Sequence, residues 1–371
     1  MSVTRPGLHM LSLVNESDRG PAEGETADAA PGASSFRPPT IRDVAARAGV
    51  SKSLVSRVLR GEANVSPARR EMVTQAMKEL DYRTNTIARG LSESRSGTVG
   101  VMLNDLRNPW FVELLEGMTT TLDAVGIAPV LADSHLDQRV GRDTVETLLS
   151  QRIDGLVVVG TTDAGPAIER AAALVPVVLA GTHEPSLPNV DIAADDDIAG
   201  ARLATRHLLD LGHRRIAYLQ GPGVVGTLRR DGFTEAMTEA GCGDLASVQF
   251  AGMTEESGYV AAGRVLDAEP RPTAILAFND VTCVGALSAA DDRGLRVPDD
   301  LSLVGYDDTY LARIRHLSLT SVNNGNFAVG AQAAKFLLQR LERPTQSRRI
   351  HLHTPTLSVR RSTAAPGGGK G

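Results

Sequence analysis

Ser51-Lys52-Ser53 is followed at once by Leu54-Val55-Ser56-Arg57. Short polar side chains on the first turn of a helix, with apolar ones behind them, are what a helix needs to offer hydrogen-bonding groups to base edges in a major groove. Thr40, Ser51, Ser56 and Asn64 supply hydroxyl and amide groups of the kind that bond phosphate oxygens, contacts that position a protein on DNA without reading its sequence. Charge points the same way. Residues 39–96 hold eleven Lys and Arg against six Asp and Glu, although the whole chain carries a net charge of −5. A small basic segment on an acidic body suggests that one part meets a polyanion and the rest does not.

Other chemistries find little support. There is no Gly-x-Ser-x-Gly, no His-Glu-x-x-His and no kinase-type phosphate loop, so no catalytic residues are assigned and the chain is not read as an enzyme. The eight histidines are scattered, and His351 and His353, two on one face of a presumed strand, do not make a metal site. Gly221-Pro-Gly223-Val-Val-Gly226 fits the dinucleotide fingerprint. It lies in mid-chain, however, with proline in the turn and Arg229 and Arg230 close behind, and is read as a cleft loop before Arg229. Cys242 and Cys283 have neither metal spacing nor a disulfide framework, which fits a reducing cytoplasm. Met1–Pro38 has no basic start followed by an apolar core, so it is not read as a signal peptide. Apolar runs such as Leu156–Val159 are strand-length and far short of a membrane span. A cytoplasmic protein with no cofactor, metal or membrane partner is expected.

The elements that must position these groups follow from spacing. Thr40-Ile-Arg-Asp43 reads as a helix cap with its reciprocal acid, followed by Val44, Ala45 and Ala48 on one face and stopped by Gly49. Ser51 caps a second helix carrying Leu54, Val55, Val58 and Leu59, and Ser66-Pro67 opens a third with Val73, Ala76, Met77 and Leu80. Three short helices with a Gly-containing turn between the first two describe a helix-turn-helix. From Gly97 onward strands and helices alternate: strands near 98–103, 128–132, 155–159, 175–179, 215–219, 247–250, 274–278 and 301–306, helices near 109–124, 139–151, 198–211, 228–240, 255–266 and 281–293. Buried strands alternating with helices give doubly wound parallel sheets with ligands at the strand C-terminal ends, and the span is about twice what one sheet needs. Two lobes with a cleft between them are expected.

The stretches TIRDVAARAGVSKSLVSRVLRGEANVSP, DYRTNTIARGL, GVMLNDLRNPWFVELLEGM, HLLDLGHRRIAYLQGP and ILAFNDVTCVGALSAADDRGLRVPDDLSLVGYDD, with LTSV beyond, resemble the LacI family of transcriptional regulators, in order and from about Thr40 to Arg361. The resemblance implies an N-terminal all-α helix-turn-helix domain joined by a hinge helix to an α/β, two-lobed, periplasmic-binding-protein-like core. The boundaries it suggests are a disordered tail at 1–38, the DNA-binding domain at 39–84, hinge and linker at 85–97, the effector and dimerisation core at 98–362, and a flexible end at 363–371. Within the core, lobe 1 covers about 98–195 and 324–345, lobe 2 about 196–322 and 346–362.

By motif match the resemblance makes Lys52 and Ser53 base readers, with Arg57 on a base or a phosphate. Asn85–Leu91 matches the hinge helix, in which Asn85 and Arg89 meet DNA and Leu91 wedges into a minor-groove step. Two departures stand out: Thr84 replaces the usual proline, and Gly90 sits inside the hinge, where glycine costs about 1 kcal/mol relative to alanine. Asp105, Asn108, Trp110 and Phe111 match the first lobe's effector contacts, and Arg229, Asn279, Asp280 and Asp307 the second's. Ala180-Gly181-Thr182 offers little on the remaining wall. The implied function is a regulator, a repressor as most of the family are, binding a palindromic operator in double-stranded DNA as a homodimer or homotetramer under control of a small effector. A sugar or sugar derivative comes first as effector, a nucleobase or phosphorylated metabolite after it. A sugar-binding or sugar-converting protein with no DNA role is the other reading.

Overall fold

The computed structural model describes residues 39–59, 61–82, 95–160, 162 and 164–367. They fall into two compact units divided between Thr84 and Asn85.

The first unit is helical: α1 (Ile41–Ala48), α2 (Lys52–Leu59) and α3 (Pro67–Glu79). The Asp43 carboxylate accepts from the Thr40 backbone N–H at 2.7 Å, and Thr40 Oγ1 accepts in return from the Asp43 N–H. This reciprocal cap satisfies donors that the helix start would otherwise leave unpaired. Gly49, at φ 61°, ends α1 in the left-handed region, and Ser51 Oγ then accepts from Leu54 N at 3.2 Å to open α2. Helices this short need a shared core. Val44, Ala45, Ala48, Val55, Val58, Val65, Val73 and Ala76 provide it, with Leu54, Met77 and Leu80 packed against it.

The second unit contains β1 (Thr98–Leu103), β2 (Ala128–Asp133), β3 (Gly155–Val159), β4 (Val177–Ala180), β5 (Asp191–Asp195), β6 (Ile216–Gln220), β7 (Ala246–Phe250), β8 (Ala274–Ala277), β9 (Ser302–Tyr306), β10 (Thr320–Asn323), β11 (Ile350–His353) and β12 (Thr356–Ser358). These make two six-stranded sheets, ordered β11-β5-β4-β3-β1-β2 and β12-β10-β9-β8-β6-β7. Every pairing is parallel except β10 with β12. The central strands are apolar without alternation (Leu156–Val159, Ala274–Ala277) because helices cover both faces. Four apolar clusters, two per sheet, result. In each sheet the order reverses at one point, between β1 and β3 and between β6 and β8. A crevice opens at such reversals, where the following connections leave to opposite faces.

The chain passes between the lobes three times: after β5, after β10 and between β11 and β12. The family resemblance put all of 346–362 in the second lobe. Ile350–His353 instead pairs with β5 of the first sheet, because Arg340 and Arg349 both clamp Asp191 at the start of β5 and draw the returning chain to that edge. The helix expected near 139–151 is shorter, Thr144–Ser150, because the Asp143 carboxylate caps it by accepting from Val145 N and Glu146 N, and a separate helix, Ser134–Arg139, precedes it.

Candidate functional site

In the helical unit, Lys52 and Ser53 lie exposed on the first turn of α2, while Val55 and Val58 behind them are buried. Ser51 is also exposed, its hydroxyl engaged in the cap. The sequence therefore produces a surface with apolar backing and polar tips, the arrangement that base-edge contact requires. Arg57 is placed differently from the expectation. Its Nε donates to Glu62 Oε2 at 3.0 Å and its Nη2 to the Asn64 carbonyl at 3.1 Å, so it braces the turn between α2 and α3. Asn64 is exposed and Ser56 half-buried, whereas the Thr40 hydroxyl is committed to Asp43 at 2.7 Å. Asn85, Arg89 and Leu91, with Thr84 and Gly90, lie outside the described residues.

In the second unit the two switch points face each other across a cavity of about 40 Å³. Its walls come from strand ends: Asn104 after β1, Gly160 after β3, Gly181 after β4, Asp195 closing β5, Phe278 and Asn279 after β8, and Asp307 after β9. Asn108, Trp110 and Phe111 enter from the start of the helix Trp110–Asp123, and Val225 and Arg229 from the helix Gly223–Glu239. The dinucleotide-like glycine loop is thus the lead-in to Val225 and Arg229. Gly181 allows one wall to exist, for a Cβ there would lie 2.2 Å from the Trp110 ring. The bareness of Ala180-Gly181-Thr182 is what leaves room for the indole. An outer chamber of about 220 Å³, lined by Asp105, Arg107, Thr254, Glu255 and Val281, shares Asn104, Asn108 and Met253 with the inner one.

Arg229 is the centre of the inner cavity's electrostatics. Its Nε donates to Asp197 Oδ1 at 2.7 Å and its Nη1 to the Phe278 carbonyl at 2.7 Å, and Nη2 stands 3.8 Å from Asp307 Oδ1. The guanidinium lies 3.5 Å over the Tyr306 ring and 4.8 Å from that of Phe278. Tyr306 donates its hydroxyl across the lobes to Asp195 at 2.7 Å. Burial pushes the Asp195 carboxyl up to about 7, with the Asp197 charge adding to the rise and Arg229 opposing it. Burial drives Asp307 well above the usual carboxylate range in the same way. His183 stands 3.2 Å from Asp197, and although burial pulls its imidazole down, that carboxylate outweighs it and the net shift is upward. At the rim, Glu113 and Arg313 join the lobes at 2.8 Å.

Six of the eight effector residues expected from sequence meet at the inner cavity: Asn108, Trp110, Phe111, Arg229, Asn279 and Asp307. Asn279 also caps the helix that follows it, exchanging bonds with Thr282. Asp280 does not reach the cavity. It is wholly buried and accepts from Thr309 N, Thr309 Oγ1 and Ser321 Oγ at 2.6–2.8 Å, which fixes the loop carrying Asp307. Asp105 faces the outer chamber, paired with Arg107 at 2.6 Å. Sequence reading missed Asn104, Asp195, Asp197, Phe278 and Tyr306. Asn104 and Phe278 directly follow strands at the switch points and were within reach of that rule. Asp195 had no such signal, because β5 itself was not read, and Asp197 stands one residue before the helix expected at 198–211.

A helical unit presenting a polar turn, attached to a two-lobed α/β core with a cleft at its switch points, defines a class: regulators in which a ligand-binding core serves a DNA-reading head. Residues 40–85 match the family model described as bacterial regulatory proteins, lacI family, and residues 205–363 match that of the periplasmic binding protein-like domain. The chain is 31% identical over 329 residues to a transcriptional repressor PurR of Mannheimia succiniciproducens, covering 87% of this chain and 98% of that one. It is similar to the crystal structure of a lac repressor dimer bound to operator and an anti-inducer (TM-score 0.77, 30% identity, 89% of this chain and 100% of that one). A complex of the regulator CelR with cellobiose is also similar (TM-score 0.64, 32% identity, 87% and 99%). The chain belongs to the LacI family of DNA-binding transcriptional regulators, which are not enzymes.

Proposed function

We propose that the chain is a repressor that binds a two-fold symmetric operator as a homodimer, with an affinity set by a polyhydroxylated effector, a sugar or its derivative, in the interlobe cleft. The observation that carries this reading is the convergence at the switch points of Asn104, Asn108, Asp195, Arg229 and Asp307 with the aromatic rings of Trp110, Phe111 and Phe278. Polar forks for hydroxyls beside rings for a C–H face suit a sugar. Lys52 and Ser53, exposed on the first turn of α2, supply the base contacts, with Ser51, Ser56 and Asn64 on the flanking phosphates. No helix among the described residues is long and apolar enough to cross a membrane.

A cavity of about 40 Å³ has room for about one ordered water, so an effector enters only as the lobes part. That movement is the differential contact through which binding can shift operator affinity. Val248 and Phe250 on the edge strand β7, and Tyr259 and Val260 on the neighbouring helix Glu255–Leu266, leave apolar surface exposed, which supports self-association. The test is an anisotropy titration of a selected operator duplex, with and without the sugar that most raises the protein's melting temperature. A change in affinity of about fivefold or more is expected. An unchanged affinity would remove effector control.

A further inference from the structure

Three carboxyl groups face one guanidinium at the inner cavity. Asp195 and Asp307 line it directly, and Asp197 stands behind them against Arg229 and His183. Arg229 is the single cation among the described residues of this lining, and two of its three nitrogens are already committed. Nε is held by Asp197 and Nη1 by the Phe278 carbonyl, while the plane is fixed over Tyr306. An entering phosphate or carboxylate would have to share that one guanidinium with Asp197, Asp195 and Asp307 in a desolvated site, which costs heavily. The outer chamber's Arg107 is paired with Asp105.

The same wall suits the opposite charge. Trp110 and Phe111 stand edge to face with centroids 5.1 Å apart, and Phe278 closes the far side. Aromatic faces beside carboxylates attract an ammonium group. An independent sign that the cavity awaits a polar ligand comes from Trp110. It is 7% exposed, lines the cavity, and has its indole N–H buried with no partner; Asn104 Oδ1, on the same wall, is also unpaired. A buried donor left unmade costs free energy that a ligand acceptor recovers.

Resting on the reading of this cleft as the effector site, we infer that it selects a polyhydroxylated ligand bearing a protonated amine, an amino sugar in chemical class, and rejects phosphorylated or acidic sugars. The amine sits between Asp195, Asp307 and the aromatic rings, and the ring hydroxyls meet Asn104, Asn108 and the Trp110 N–H. Burial holds both carboxyls high in the ligand-free cleft, to about 7 for Asp195, so a ligand cation supplies the counter-charge that protons otherwise provide.

Trp110 is the only tryptophan in the chain, so its fluorescence reports this site in the intact protein. The test is a titration of the full chain with matched probes: glucosamine, glucose and glucose 6-phosphate, with the galactose and mannose sets alongside. In the set that binds, the amine is expected about tenfold tighter than the neutral sugar, and the phosphate undetectable. Asp307→Asn, and independently Asp195→Asn, should bring amine and neutral sugar close to parity. A neutral sugar or phosphate bound as tightly as its amine overturns the inference and leaves the cleft as the effector site. Binding by no probe overturns both.

Discussion

Arg229 and the carboxylates around it decide what the cleft can do, because none of them can be ionised or neutralised without affecting its neighbours. Asp195 has the clearest consequence. Its carboxyl is raised to about 7 in the folded chain against about 4 when unfolded, so the folded state binds the proton more tightly. The stability this contributes is complete below pH 4 and is lost as pH rises towards 7. Denaturant melts of the full chain between pH 4 and 8 should show Asp195→Asn falling less with pH than the parent, since the amide keeps an acceptor for Tyr306 but has no proton to lose. Equal slopes for the two would mean that Asp195 titrates as an ordinary surface acid. Asp280 shows how a motif match can mislead: matched to an effector contact, it spends its oxygens on Thr309 and Ser321.

Elements explain which parts of this were legible in the sequence. The helical unit was readable almost residue by residue, since its caps (Thr40 with Asp43, Gly49), the Pro67 that opens α3 and its apolar spacing are local signals, although the Ser66 side chain makes no capping bond. The apolar strands β1, β3 and β8 were readable for the same reason. β5 was not: Asp-Ile-Ala-Ala-Asp looks like a loop until Asp191 is paired with Arg340 and Arg349, about 150 residues away. The site inherited that gap, and Asp195 went unread with the strand that carries it. Gly181 makes the opposite point, where a bare stretch of sequence proved to be the floor under Trp110. Gly181→Ala puts a methyl 2.2 Å from the indole at a residue with φ +62°. It should destabilise the core by about 1–3 kcal/mol and shift the Trp110 emission maximum, as overpacking a close contact does. Thermal melts and emission spectra indistinguishable from the parent would place the indole elsewhere.

At the scale of the whole molecule, the proposed function needs two features to work together: a surface that would join two copies and a head that reads DNA. Phe250 is 62% exposed at the end of β7, with Val248 beside it on the same edge strand. Sheet edges of this kind are normally charged or covered. Val248→Asp combined with Phe250→Glu is expected to give a folded monomer by sedimentation, whereas the parent sediments as a dimer or larger; an unchanged mass would place the interface on another face. A two-headed protein reads two half-sites related by its own symmetry. The most direct measurement is therefore selection of duplexes from a randomised pool by the full-length protein, repeated with Lys52→Ala. A palindromic consensus is expected for the parent, and for Lys52→Ala a loss of preference confined to symmetric positions, each worth about 1–3 kcal/mol. Recovery of no consensus, or of an asymmetric one that Lys52→Ala leaves untouched, would contradict that expectation.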